Sequence, residues 1–439
     1  MARVHQAVRL ALDPTVAQRC DLARHAGSAR YAYNWGLRRV MDALDARRAG
    51  DTTIRVPSAM TLHREWNAWK RSPDGIPWWT EVSKCAPQEA FRNLERGLQA
   101  FWASGRGERP GPRVRFPRFK KKGRARDAFR LTGALPLHGR AVTLPRIGTV
   151  RLHEDASRWT DRIAAGTVRI SAATVSREAD RWVVALAVEV ERAIPVANGA
   201  LDPVGVDLGI LALATCSDGT VIPGPKALRR GLRKLRQLSR AHSRKRRGSR
   251  NRAKVARRLA RHHARVAAVR RDHWHQLTTT LAKTHRRIVV EDLNVRGMLR
   301  NRPLARSLAD AGFAEFRRQL AYKCAWYGST LVVADRWFPS SKTCSRCGAI
   351  QDALSLTERI YRCQRCGLAL DRDLNAAINL AGWPPPAVTA SAAETRTACG
   401  ADRKSRLCLA GGREAGTGIS PELTGSIGGP QTRVAFVAV

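Results

Sequence analysis

Acidic residues are scarce in this 439-residue chain. Asp and Glu number 36 against 79 Lys and Arg, a formal net charge of +43 at neutral pH. A protein so charged repels itself unless a polyanion neutralises it, so DNA or RNA is the expected partner, bound in a salt-sensitive way. A codon bias toward arginine accounts for Arg over Lys but not for the shortage of acids. Long apolar runs are also missing. No stretch of about 18 apolar residues suggests a membrane span, and MARVHQAVRL lacks the apolar core of a signal peptide. The expectation is a cytosolic protein with no membrane partner, in a compartment where disulfides are not expected. With 44% hydrophobic and 26% charged residues, the chain has a soluble globular composition and length enough for two or three domains.

Ten cysteines therefore need another role. Six (Cys20, Cys85, Cys216, Cys324, Cys399, Cys408) are scattered and read as buried or incidental thiols. The other four form Cys344-x2-Cys347-x15-Cys363-x2-Cys366. Two CxxC knuckles supply four thiolates, the set a tetrahedral structural Zn2+ takes. Gly348 and Gly367 follow the knuckles, where a tight turn brings backbone N–H groups to the sulfurs. A redox CxxC needs only one such pair. Four protein ligands leave zinc no open position, so its binding is local folding energy, on the order of 10 kcal/mol.

Along the chain, residues 3–11 alternate as a half-buried strand, and helical periodicity follows from Pro14 to about Arg48, over 58–70 and over 87–102. The aromatics there, including Trp66, Trp69, Trp78 and Trp79, read as core. Residues 104–126 are a Gly/Pro-punctuated basic loop, with Lys120, Lys121 and Lys122 as candidate phosphate contacts. Strands are expected near 127–133, 142–152, 167–176 and 181–191, the last two as a hairpin. After Pro203, 204–222 reads as strand, turn, strand, with Asp218-Gly219 at the tight turn. Residues 226–271 then carry 20 Lys and Arg and no acid. Gly248-Ser249 splits this run into two helices, the second over 251–284 and roughly 50 Å long. Like charges along one helix repel, so Arg246, Arg247, Arg250, Arg257 and Arg258 are expected on a phosphate backbone. A strand over 286–293, a continuous helix over 305–327, a strand over 329–336 and a helix over 371–382 follow. From residue 384 the chain loses periodicity and reads as a disordered tail.

In so basic a chain, acids at the ends of apolar strands stand out: Asp207 in VGVDLGI, Glu291 in IVVEDL, and Asp373 at the start of DRDLNAAINL. Two-metal phosphodiester hydrolysis needs several carboxylates brought together. Such acids also cap loops or pair with Arg, and spacing alone leaves both readings open.

The ordered series GVDLGI, a long basic helical stretch, IVVEDLNVRGML, WFPSSKTCSRCG and YRCQRCGLALDRDLNAAINL resembles the TnpB (OrfB) family, transposon-encoded proteins related to type V CRISPR effectors. The resemblance is close over about 201–382 and looser over 1–200, where RYAYNWGLRRV, FRNLERGLQAFW and RPGPRVRFPRFKKKG carry it. It implies an RNA-guided DNA endonuclease with an RNase H-like (RuvC) domain whose acids are Asp207, Glu291 and Asp373. They would hold catalytic Mg2+, which hard carboxylate oxygens favour, with Mn2+ a substitute. Arg372 would touch phosphate and Asn375 would cap the helix, while Asp292 and Asp371 would orient Arg or backbone groups. The implied architecture is α/β plus β-barrel. A wedge-like barrel (1–12 and 113–200) carries a helical recognition insert (13–112). The nuclease domain (201–342 and 371–383) contains the inserted zinc ribbon (343–370). The implied partners are a guide RNA from the transposon end and double-stranded target DNA, beside a short motif read by the protein. A strand-transferring transposase, a nuclease-inactive RNA-guided repressor and a plain zinc-ribbon DNA-binding protein are the competing readings. For the first of these, no helix-turn-helix is clear in the sequence.

Overall fold

In a computed structural model, which describes residues 2–193, 202–355 and 357–384, the long first strand joins the two sides of an antiparallel sheet. That strand, β1 (Ala2–Asp13), is followed by α1 (Val16–Arg48), α2 (Ala59–Trp69), a 3-10 turn and α3 (Cys85–Gly105). Then come β2 (Ala128–Thr132), β3 (Leu137–His138), β4 (Ala141–Leu144), β5 (Gly148–Leu152), α4 (Ser157–Ala164), β6 (Val168–Glu178) and β7 (Arg181–Arg192). The sheet order is β2-β6-β7-β1-β5-β4-β3. β1 pairs with β7 along Ala2–Leu12 and with β5 at Leu12–Asp13. Its alternate residues Val8, Leu10 and Leu12 are buried with Leu22 and Leu37 of α1, Trp66 of α2, and Phe91, Leu94 and Leu98 of α3. The helices expected as a separate insert thus share one core with the sheet. α1 starts at a capping box in which Thr15 and Gln18 satisfy each other's backbone N–H.

The second half begins with β8 (Val204–Asp207), β9 (Ala212–Cys216) and β10 (Val221–Pro223), then α5 (Ala227–Ser243) and α6 (Arg250–Thr284). It continues with β11 (Arg287–Glu291), α7 (Val295–Met298), α8 (Arg302–Ala311), α9 (Phe313–Tyr327) and β12 (Thr330–Ala334). Last come β13 (Ile360–Arg362), β14 (Ala369–Asp371) and α10 (Arg372–Ala381). The five-stranded sheet runs β10-β9-β8-β11-β12, with β8, β11 and β12 parallel and β9 and β10 antiparallel to their neighbours. Parallel strands are covered on both faces and read as continuous apolar runs. Ile288 and Val290 of β11 meet Trp274, Phe316 and Leu320 of α6 and α9 on one face. Val289, between them, meets Leu380 of α10 on the other.

The basic run folds as a helical hairpin. Ser249 caps α6, and the Arg252 guanidinium donates to His242 O and Lys245 O at the end of α5. Buried Asp310 accepts from the backbone N–H groups of Leu228 and Arg229 at the other end of α5. Arg261 of α6 pairs with Asp180 in the β6–β7 turn and ties this hairpin to the first sheet.

One expectation changes, and one lies outside the described residues. The helix expected over 305–327 is broken at Gly312, whose φ of 74° only glycine adopts without cost. The break leaves Ala311 O free to accept from Trp274 Nε1 at 2.8 Å. The tail expected to be disordered, with Cys399 and Cys408, lies outside the described residues, apart from Pro384. No helix among the described residues is long and apolar enough to cross a membrane.

Gly205 fixes the seat of α10. A Cβ there would lie 1.9 Å from Ala377 O, a distance no packed atom tolerates. Gly205→Ala is therefore expected to push α10 off β8 and lower stability by about 3 kcal/mol or more, read as a fall in the midpoint of chemical unfolding.

Candidate active site and metal centre

Register brings two of the three strand-end acids together. In the parallel pair, Val206 stands opposite Val290, so Asp207 and Glu291 end adjacent strands on the same edge of the sheet. The carboxyl ends of parallel strands are where open α/β sheets place their sites. Asp373 joins them from the first turn of α10, which the missing side chain of Gly205 lets pack flush on β8. Asp207 feels the other two carboxylates. Burial, then repulsion from Glu291 and Asp373, pushes Asp207 up to about 8, with Arg372 partly offsetting it. Burial and the neighbouring Asp371 also raise Asp373. A buried carboxylate raised by the charge of its neighbours is a place for a cation.

The flanking acids have other partners. Asp292 is held by the guanidiniums of Arg317 and Arg336, which keep its carboxyl below the usual range. Asp371 is the N-cap of α10, accepting from the backbone N–H of Asp373 at 2.9 Å and of Leu374 at 3.0 Å. Each orients Arg or backbone groups, as their positions beside the strand ends suggest. Asn375, expected to cap the helix, does not. It lies buried inside the first turns, accepting from Ser345 N at 3.0 Å and donating to Thr343 O at 2.7 Å. A cap must precede the helix, and Asp371 already occupies that place. Asn379, one turn on, donates to Ser340 O and Thr343 O. Ser340 in turn donates from Oγ to Glu291 Oε1 at 2.6 Å. Ser340 and Asn379 are invisible to spacing rules, because the partner of Ser340 ends a different strand and those of Asn379 are met only where α10 docks.

Four cysteines form the second centre. Their sulfurs all lie within 4.8 Å of one another, with Cys344 and Cys366 at 3.5 Å and Cys347 and Cys363 at 3.6 Å. A tetrahedron of bonds of about 2.3 Å has edges of about 3.8 Å, so the set fits one zinc-sized ion. The knuckles are built alike. Gly348 N donates to Cys344 O at 2.9 Å and Gly367 N to Cys363 O at 3.0 Å, both glycines at positive φ near 74°. Backbone N–H groups of Arg365 and Cys366 approach the Cys363 sulfur. Through Thr343, Ser345, Asn375 and Asn379 the first knuckle is bonded directly to the helix that carries Asp373.

The expected phosphate contacts divide. Lys121, Lys122, Arg246, Arg247, Arg250, Arg257 and Arg258 are exposed. Lys120 is not free: its ammonium sits 3.7 Å from the Tyr33 ring centre, and its backbone exchanges two hydrogen bonds with Asn34. Burial lowers its pKa, so Lys120 pins the basic loop to α1 and leaves its neighbours to solvent. Arg372 lies near Asp207, while its guanidinium donates to Ser355 O at 2.9 Å.

The sign of the pH effect follows from the raised Asp207. Its charged form is disfavoured in the fold, so the metal-free chain loses stability as pH rises from the unfolded carboxyl pKa near 4 toward 8. Asp207→Asn is expected to flatten that part of the profile and to be the more stable chain at pH 8, read from thermal melting of both proteins across pH 4–9.

Comparison with known proteins gives three family models. A "Probable transposase" model of the OrfB/IS605 type matches residues 185–302, and a "Cas12f1-like, TNB domain" matches 313–380. A "Helix-turn-helix domain" of the same OrfB type matches 1–49; the structure has one strand and one unbroken 33-residue helix there. Mycobacterium tuberculosis H37Rv has a protein named "Putative RNA-guided DNA endonuclease Rv2885c", 43% identical over 93% of each chain. InsQ of Escherichia coli K12, under the same description, is 32% identical over 85% of this chain and 91% of its own. A Cas12f1 chain solved with guide RNA and target DNA aligns over 86% of this chain and 99% of its own, at 14% identity and a TM-score of 0.46. With full-length relatives at this identity, the chain belongs to the TnpB (OrfB) family of IS605-type transposon proteins.

Proposed function

We propose that this protein is a transposon-encoded, RNA-guided DNA endonuclease with a RuvC-type site. One observation carries the reading: Asp207, Glu291 and Asp373 converge at the carboxyl edge of a mixed five-stranded sheet. That sheet has the strand order of an RNase H-like domain. Asp207, Glu291 and Asp373 would hold the catalytic Mg2+, with Mn2+ as a substitute; when bound, the ions polarise the phosphodiester and promote attack by water. The chain's own residues do the rest. Ser340 fixes the orientation of Glu291. Asp371 holds the first turn of α10 so that Asp373 faces the two strand ends. Arg372, close to Asp207, supplies positive charge where a phosphate would lie. Cys344, Cys347, Cys363 and Cys366 hold structural Zn2+, which braces α10 through Asn375 and Asn379.

The remaining architecture suits a guide RNA paired to a target strand. The first sheet, whose end strands β2 and β3 do not pair with each other, would serve as the wedge-like domain, with α1–α3 as its recognition helices. The exposed arginines of α5 and α6, with Lys121 and Lys122, line the path of a phosphate backbone. The relatives' description as RNA-guided DNA endonucleases supports the same reading. A nuclease-inactive repressor has no use for a buried Asp207 repelled by Glu291 and Asp373. A strand-transferring transposase needs a dedicated reader of the element ends, and residues 1–49 are not folded as one.

Asp207→Ala is expected to lower guide-directed cleavage at least about a thousandfold while leaving guide and target binding largely intact. Retained cleavage would refute the site. RNA copurifying with the protein should be dominated by one species from the transposon end, read by sequencing. Metal analysis should find one zinc per chain, and Cys363→Ser should release it and lower cleavage by loosening α10; a wild-type chain with no zinc contradicts this role for the ribbon.

A further inference from the structure

Trp337 is the most exposed large apolar side chain among the described residues, at 84%. The other eleven tryptophans are buried or half-buried. Its exposure does not come from a loose loop. Trp337 N donates to Asp335 Oδ1 at 2.8 Å and Phe338 N to Asp335 O at 3.1 Å, a closed turn on either side of the indole. Phe338 packs on Trp383 with ring centres 4.6 Å apart. The preceding residue, Arg336, is paired with Asp292 and also donates to its backbone carbonyl. Three residues on, Ser340 is bonded to Glu291. Both flanks of Trp337 are therefore fastened to the Glu291-Asp292 pair at the edge of the carboxylate site.

A rigid indole held in water beside a charged site is suited to a flat, apolar surface attached to an anion. Arg336, the residue before the indole, shares the single carboxylate of Asp292 with Arg317, so two guanidiniums are held at one carboxylate on this edge. A nucleobase with its phosphate matches both features, since stacking on an exposed aromatic is open to any unpaired base. A paired base offers no free face. Resting on the endonuclease reading above, we propose that Trp337 is a stacking platform for an unpaired base of the DNA strand being cut, next to the scissile phosphate. It is a positioning residue: it would set which phosphate faces Asp207, Glu291 and Asp373.

The test uses the full chain loaded with its guide. Single 5-iodouracil substitutions are placed along each DNA strand and along the guide, and the complex is photo-crosslinked. Labelling of the peptide containing Trp337 is expected from one or two adjacent positions of a DNA strand, and is expected to vanish in Trp337→Ala. This readout does not depend on cleavage, so it separates failure of the platform from failure of the nuclease reading. In cleavage, Trp337→Ala should slow cutting roughly tenfold and spread the cut positions, with Trp337→Phe restoring most of the rate. An abasic nucleotide at the crosslinking position should slow the wild type but not the Ala variant. Absence of Trp337 crosslinks, crosslinks only from the guide, or an Ala variant with wild-type cut positions and rate overturns the proposal.

Discussion

The structure turns on a repulsion. Asp207, Glu291 and Asp373 are crowded together although burial and one another's charge push Asp207 up to about 8. Nothing in folding rewards such an arrangement, since acids left to themselves in a chain of 79 Lys and Arg would each find a guanidinium. Asp292, one residue beyond Glu291, does so and has two. That Glu291 and Asp373 lie close enough to raise a buried Asp207, with Arg372 only partly offsetting them, is the constraint to which the rest of the second half answers.

Three devices hold them there. Parallel register aligns the ends of β8 and β11. Gly205 removes the side chain that would keep α10 away. The first cysteine knuckle grips the same helix through Asn375 and Asn379. A four-sulfur centre has no chemistry to offer a phosphodiester, yet its first knuckle is hydrogen-bonded to the helix that carries Asp373. The ribbon and the carboxylates form one mechanical unit, although the sequence presents them as separate motifs.

Much of this was legible in the sequence. Alternation in 3–11 and the hairpin strand expected at 181–191 marked the two strands that form the centre of the first sheet. The acid-free run with Gly248-Ser249 marked the α5–α6 hairpin to within a residue or two. Cysteine spacing marked the metal centre, and the strand-end acids were visible because acids are rare here. What was not legible depends on distant partners. The break at Gly312 serves a hydrogen bond from Trp274, far away in sequence. Lys120 looks like its two neighbours, but Tyr33 and Asn34 hold it half-buried. Asn375 had the chemistry of a cap and stood at a helix start, but Asp371 was one turn better placed. Ser340 had no local signal, because its partner Glu291 lies on another strand.

The α5–α6 arginines and the carboxylate edge belong to one half of the chain, so a strand positioned by the guide and the site that cuts it would share a scaffold. The most direct measurement reprogrammes the guide. The protein is supplied with Mg2+ and a guide RNA whose target-pairing segment has been changed, and the position of the DNA break is mapped. The account predicts that the break moves to the new match and is absent when Glu291 is replaced by Gln. A break that stays where it was, or that survives in Glu291→Gln, would contradict it.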